Sequence, residues 1–365
     1  MMPWGEGKKG ILLLMEPPTE DECRKQEPWL GRTGRMVRQI FKENGISVQE
    51  DCITIPVVCC PSNEANQYEL ACCRKNVLKT IQEFKPKLII SFGAAGIISL
   101  LEYRWQQDLG GTPYAMMTKW RGWQIPDQDL KAWWCPVFSP SFVGDGGHEV
   151  GVIWENDIKN ALAHLDVPLR VYKSEIKEIT DLSILDELDV PEVAIDYETT
   201  GLKPHDVGHR IICVSVAVSE ELVYVFMMPK TKQERAPYLR LLANEKIGKI
   251  AQNMKFEEAW SVVRLRQPVA NWVWDTMQAT HVLTNRYGVT GLKFQTYVQF
   301  GVVDYSSDVS PWLKGVDEKN SNALNKIEEL VATESGKKKL LTYCGYDGLY
   351  EFRLANLQRK LMEAF

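Results

Sequence analysis

The sequence predicts an α/β protein of two domains, each built on a sheet of its own. The chain has 365 residues, enough for two separate cores. Its first half alternates short apolar runs with amphipathic stretches, the pattern of a mainly parallel sheet covered by helices on both faces. Its second half opens on a new apolar, β-rich run, Val193-Ala194-Ile195, and closes in helix-forming sequence around Tyr343 to Asp347.

Taken in order, Ile11–Met15 reads as a buried strand, and Thr33–Asn44 as an amphipathic helix stopped by Gly45. Ile53–Val58 is a second strand and Ala65–Phe84 a second, longer helix. Pro86–Gly93 is a third strand ending in a glycine turn before a helix over Ala94–Leu101. Ligands of such sheets sit beyond the strand C-termini. That puts Glu16-Pro17-Pro18, Cys59-Cys60, Gly93 and Phe138 to Ser141 on one rim. Leu165–Tyr172 is expected as an exit strand, followed by acid-rich sequence with a short helix at Asp181–Leu188. The expected boundaries are a first domain over 1–168, a linker over 169–189 and a second domain over 190–365. Residues 304–320, with Ser306, Ser310-Pro311 and Gly315, predict a loop. It either covers a substrate or is a plain surface excursion.

Composition excludes several classes. Forty-five per cent hydrophobic and 25 per cent charged residues are ordinary for a globular chain. No apolar run approaches the roughly 18 residues of a membrane span, and Met1-Met2-Pro3-Trp4 lacks a signal-peptide layout. Nine cysteines, an odd number, point to a reducing cytoplasm rather than a disulfide framework. A net charge of −5 does not mark a nucleic-acid binder, but an acidic site that binds cations carries negative charge of its own.

Such a site is visible in four segments. They are Asp196-Tyr-Glu198-Thr199-Thr-Gly-Leu202, Asn253-Met-Lys255-Phe-Glu257, Asp275-Thr276 and Tyr343-Cys-Gly-Tyr-Asp347. On a strand, Asp196 and Glu198 leave the same face; on a helix, so do Tyr343 and Asp347. An Asp-x-Glu pair alone is more often a solvated strand face. The ordered set is what marks a site, because converging carboxylates need cations, and hard oxygen ligands select Mg²⁺ or Mn²⁺.

The same segments resemble the motifs of the 3′–5′ proofreading exonuclease domain of family A DNA polymerases, in the tyrosine-bearing (DEDDy) branch of the DEDD superfamily. The likeness covers about residues 188–365, with Gly291-Leu292-Lys293 similar to the stretch between the second and third motifs. It implies an RNase H-like (DnaQ-like) domain with a mixed sheet and two Mg²⁺ or Mn²⁺ ions. By that resemblance Asp196 would bridge the ions, with Glu198 and Asp347 beside it, Glu257 holding the second ion and Tyr343 orienting the attacking water. Thr199, Leu202, Asn253 and Lys255 would contact substrate, while Phe256 and Trp260 are expected in the core. The family usually carries Asp where this chain has Glu257, which makes Asp275 a reserve ligand.

The first half resembles the uracil-DNA glycosylase superfamily, family 4 in particular, over roughly residues 10–145. Met15-Glu16-Pro17-Pro18-Thr19, Pro28-Trp29-Leu30-Gly31-Arg32, Val57-Val58-Cys59-Cys60-Pro61 and Ser139-Pro140-Ser141 carry the likeness. The resemblance implies an α/β/α domain in which the aromatic at Trp29 stacks on a flipped base. Two departures argue against base excision: Pro56 stands where the family reads uracil with Asn, and Ser139 stands where it has His. Cys59, Cys60, Cys72 and Cys73 are the candidate metal-binding thiols, but the family's upstream cysteine pair is missing, and no iron–sulfur cluster is expected.

The function expected is a metal-dependent 3′–5′ exonuclease that removes nucleoside 5′-monophosphates from DNA, in proofreading or in DNA processing during replication. Single-stranded or frayed 3′ ends are its expected substrates and a separate DNA polymerase its expected partner; the glycosylase-like domain would be a DNA- or partner-binding accessory. Three other readings stay open: a bifunctional enzyme with active uracil excision, a catalytically inactive replication scaffold, and an RNase D-like RNA exonuclease.

Overall fold

Short, wholly buried strands and amphipathic helices assemble into two compact units, as a computed structural model describes for residues 1–62, 65–317 and 322–363. One unit comprises residues 1–171 together with 286–288 and 296–304; the other comprises 172–285, 289–295 and the chain from 305.

The first unit holds strands β1 (Ile11–Met15), β2 (Cys52–Pro56), β3 (Leu88–Phe92), β4 (Ile125–Asp127) and β5 (Ala132–Val137), in the order β2-β1-β3-β5-β4. Four of them are parallel, and only β4 runs antiparallel, against β5. Every residue of β1 and β3 is buried, so the strands read as continuous apolar runs rather than alternating ones. The helices over Gly31–Glu43, Gln67–Phe84 and Gly93–Leu101 lie within two residues of their expected positions. Asn66 caps the second of these, accepting from the Glu69 backbone in a capping box. The exit strand expected over Leu165–Tyr172 is not formed: Pro168 has no N–H to offer a ladder, and the backbone there is turn and irregular structure.

The second unit has a six-stranded mixed sheet. Its strands are β6 (Glu175–Glu178), β7 (Glu192–Thr199), β8 (Ile211–Ala217), β9 (Leu222–Met227), β10 (Gly248–Ala251) and β11 (Trp272–Asp275). The order is β11-β10-β7-β8-β9-β6, with β7-β8-β9 an antiparallel meander and the other neighbours parallel. The expected linker over 169–189 therefore contains a strand. Glu175-Ile-Lys-Glu is an edge strand whose charged residues face water, so by composition it looks like a linker. The short helix expected at Asp181–Leu188 is a 3₁₀ turn over Leu182–Glu187, capped by Asp181 through the Ser183 N–H at 2.9 Å. Within the loop expected over 304–320, residues 304–317 are described and include a helical turn, Ser310–Leu313; residues 318–320 lie outside the described residues. Among the described residues no helix is long and apolar enough to cross a membrane.

Segment 296–304 folds into the first unit through a buried polar knot. Asp127, fully buried, accepts from Arg104 at 2.9 and 2.6 Å, from the Tyr297 hydroxyl at 2.7 Å and from the Leu130 N–H at 2.9 Å. Gly301 sits at φ +73° with its backbone against Pro126, where a Cβ would stand 1.8 Å from the carbonyl oxygen. Removing the carboxylate leaves a nearly buried guanidinium with only the exposed Asp129, at 3.1 Å, as counter-charge. Asp127→Ala is expected to destabilise the first unit by about 3–5 kcal/mol, measured as the loss of its transition in denaturant unfolding.

Candidate active site

The site of the second unit begins with the parity of β7. Val193, Ile195 and Tyr197 point into one core, with Tyr197 hydrogen-bonded to Ser261 at 2.7 Å. Ala194, Asp196 and Glu198 therefore point the other way, towards the long helix Glu334–Glu363. That helix lies close on the sheet because glycines stand at the two positions that meet it, Gly345 and Gly348. A Cβ at Gly345 would stand 2.7 Å from Ile176, and one at Gly348 would stand 2.4 Å from the Ser215 hydroxyl. The close approach presents Tyr343, Cys344 and Asp347 to Asp196 and Glu198.

Asp196, Glu198 and Cys344 bring one ligand atom each within 4.8 Å of one another, the one such group of three among the described residues. The Cys344 thiol lies 3.7 Å from Asp196 Oδ2. Burial, with Cys213 next to it, raises its pKa well above the ordinary thiol value, so it stays protonated and is a poor ligand for a hard cation. Asp347 Oδ1 accepts from the Lys293 ammonium and, at 2.5 Å, from the Tyr305 hydroxyl. Lys293 lies 4.1 Å from the centre of the Tyr305 ring and 4.2 Å from that of Tyr343, enclosed between the two.

The carboxylates strain one another electrostatically. Burial first and Asp347 second push the Asp196 carboxyl up to about 7, with Lys293 opposing. Glu198 is raised well above its ordinary value by burial and then by Asp196; Glu257 is raised by burial and then by Asp196 and Asp275. Glu257 is 2% exposed and its Oε2 has no hydrogen-bond partner. Buried acids that disfavour their own charge, one with a bare oxygen, are a donor set suited to divalent cations.

Other expected site residues fare differently. Asp275 is not aimed at an ion: its two oxygens accept from the backbone N–H of Asn253, Met254, Met277 and Gln278 at 2.9–3.2 Å. It caps the helix Thr276–Leu283 and holds Asn253, at φ +64°, in the turn between β10 and Glu257. Thr199 gives its hydroxyl to the Gly201 carbonyl at 2.7 Å and is buried, so it shapes the turn and presents no free donor to substrate. Leu202 and Lys255 are exposed. Trp260 is fully buried and Phe256 packs against the same core. Sequence reasoning placed Lys293 only within a family-like stretch and Tyr305 only in a loop; both contact Asp347. A lysine two residues after Gly291, in a helix opening near the third motif, was the available signal for the first.

In the first unit a cleft of about 1000 Å³ collects Glu16, Gly93, Ser139 and Ser141, as the strand-end rule predicts. Pro61 and Ser62 line it, whereas Cys59 and Cys60 do not. Gly93, at φ +73°, lets Glu16 in: a Cβ would stand 2.7 Å from its Oε1. Burial raises the Glu16 carboxyl to about 6, and hydrogen bonds from Ser141 and Ser139 pull the other way. Trp29 is 5% exposed, donates its indole N–H to Thr54 at 3.0 Å and meets Phe92 edge-on at 5.1 Å. It packs in the core and also lines the cleft. Pro56 ends β2 beside Met15. The Cys59 and Cys73 thiols interact, while Cys60 and Cys72 are exposed.

The family model described as 3'-5' exonuclease matches residues 175–362, just over half of the chain. The chain belongs to the 3'-5' exonuclease family. Most of the matched residues fall in the second unit, which has the expected RNase H-like fold with a mixed sheet. A second family model, the uracil DNA glycosylase superfamily, matches residues 2–154. The type-4 uracil-DNA glycosylase of Thermotoga maritima is 30% identical over 97 residues, covering 26% of this chain and 50% of that protein. The chain spans about half the length of the first curated relatives it matches. Among solved structures, Brucella melitensis NrnC with bound Mg²⁺ is similar at 22% identity and a TM-score of 0.37, over 53% of this chain and 83% of that one. Escherichia coli RNase D is similar at 14% identity and a TM-score of 0.38, over 53% and 46%.

The raised carboxyl pKa values give this exonuclease domain a pH signature. The folded, metal-free site keeps protons that the unfolded chain has already released. For Asp196 that holds from its ordinary 3.8 up to about 7, so stability falls as pH rises through this window and then levels off. In EDTA the melting temperature is expected to drop on the order of 5 °C between about pH 5 and about pH 8. Asp196→Asn should flatten that slope, as read by thermal unfolding followed by circular dichroism.

Proposed function

We propose that the second unit is a divalent-metal-dependent 3'-5' exodeoxyribonuclease releasing nucleoside 5'-monophosphates, acting in DNA proofreading or processing. The observation that carries the reading is that Asp196 and Glu198 lie together on one face of β7, with Asp347 and Tyr343 of the long helix close enough to interact with them electrostatically, inside a chain of the 3'-5' exonuclease family. Asp196, Glu198, Asp347 and Glu257 would hold the cations, which we take to be two Mg²⁺ or Mn²⁺. When bound, these would supply Lewis acidity, making a water more acidic and neutralising charge on the scissile phosphate.

The chain's own groups do the rest. Tyr343 orients the attacking water through its hydroxyl; burial and Asp347 push its pKa up, so it serves as a hydrogen-bonding group and not as a full base. Water oxygen bonds to phosphorus, the P–O3′ bond breaks, and the leaving 3′ oxygen takes up a proton. Lys293 offsets part of the negative charge at Asp347. The exposed Leu202 offers an apolar surface for a terminal base, and the exposed Lys255 a cation for a phosphate. Single-stranded or frayed ends follow as substrates, because the base must leave its stack to reach the acids. A separate polymerase is the partner this activity would serve.

For the first unit we propose binding of DNA or of a protein partner without base excision. Of the glutamates that line its cleft, Glu16 is the one beside the serines; Pro56 offers no amide to read a base, and Trp29, which also lines the cleft, has its indole N–H engaged by Thr54.

The test uses 5′-labelled single-stranded DNA, primer–template DNA and RNA of the same sequence, with and without internal uracil. A ladder shortening from the 3′ end in Mg²⁺ and absent in EDTA is expected on DNA. It should vanish in Asp196→Ala and slow by about 100-fold in Tyr343→Phe. Faster cleavage of RNA would replace the DNA assignment with an RNA one. Alkali-labile breaks at uracil would overturn the reading of the first unit.

A further inference from the structure

Glu351 lies one helical turn beyond Asp347 and two beyond Tyr343 on the helix Glu334–Glu363, so the three share the face packed on β7 and β10. Its side chain is 1% exposed, and neither carboxylate oxygen has a hydrogen-bond partner. The Gln252 backbone amide faces it but falls short of a hydrogen bond. The charges that act on it are Asp196, Glu257 and Asp347, all negative. Among the described residues no Lys, Arg or His pairs with it. The buried cation of β10, Lys249, gives its ammonium to the Asn244 and Ile247 carbonyls.

A glutamate in this position is destabilising on every account. Two bare oxygens lose their hydration without replacement, and three neighbouring acids oppose its charge. A leucine would fill the same space without that penalty. Glu257 presents the matching defect, a buried and unpartnered Oε2. A hard cation answers both, since carboxylate oxygens are its preferred ligands.

We infer that Glu351 is a further carboxylate ligand of this chain for a divalent cation, sharing the ion with Glu257. The inference rests on the reading that the acidic face of β7 binds divalent cations. It also bears on the longer side chain at 257, whose carboxylate is then one of two that reach the same ion.

Calorimetric titration of the EDTA-stripped full chain with Mn²⁺ tests this, alongside thermal unfolding with and without Mn²⁺. The wild type is expected to bind Mn²⁺. Glu351→Gln, nearly the same shape without the charge, should lose one Mn²⁺ equivalent or bind about 10–100-fold more weakly. The rise in melting temperature on adding Mn²⁺ should shrink accordingly. Titration of Glu351→Asp, which keeps the charge and shortens the reach, gives the same decision should the Gln variant fail to fold. Equal stoichiometry and affinity in the wild type and the folded variant overturn the role of Glu351 alone. A wild type that binds no Mn²⁺ overturns the reading of the acidic face as well.

Discussion

Like charges confined in a poorly polarisable interior repel strongly, and the second unit is arranged around that repulsion. Asp196, Glu198, Asp347 and Glu351 lie between β7 and the long helix, Glu257 is near enough to act on Asp196 and Glu351, and Lys293 is paired with Asp347. Interactions that are weak in water reach several kcal/mol at such separations and burial. The metal-free site therefore holds protons, and folding must carry the electrostatic strain elsewhere. It does so through two well-packed cores, one on each face of β7, and through Gly345 and Gly348, which let the long helix settle on the strands. A bulkier residue at either glycine would meet Ile176 or Ser215 first and push the helix that carries Asp347 off the strands.

Much of this was legible in the sequence, for identifiable reasons. The buried strands of the first unit announce themselves because both faces are covered, so apolar residues dominate each run and Ser91 is the one polar residue in β1 and β3. Asp196 with Glu198 and Tyr343 with Asp347 could be read because strand and helix periods decide which side chains share a face. The edge strand β6 was not legible: an exposed edge strand carries charges, and charges spaced along an acidic stretch read as a linker. Asp275 could be read as a reserve ligand or as a structural residue, because sequence shows a carboxylate but not the four backbone N–H groups that it accepts from. Tyr305 and Lys293 were hidden for a related reason. Their contacts with Asp347 span 42 and 54 residues of chain, and no local period encodes such a distance.

The two units also differ in what their polar groups can do. In the first, Glu16 stands in its cleft with serine hydroxyls, and a single carboxylate moved up to about 6 can hold or release one proton. Ser139 engages its hydroxyl with Ser141 and in capping the helix Pro140–Asp145. In the second, Asp196, Glu198, Glu257 and Glu351 are made worse as anions by burial and then by their neighbours, which is the condition under which added positive charge contributes most. A cleft that shapes and a cluster that concentrates charge are different physical devices. The first suits recognition of a surface or a base. The second suits chemistry on a phosphate, whose own negative charge could not approach these acids until cations had offset them.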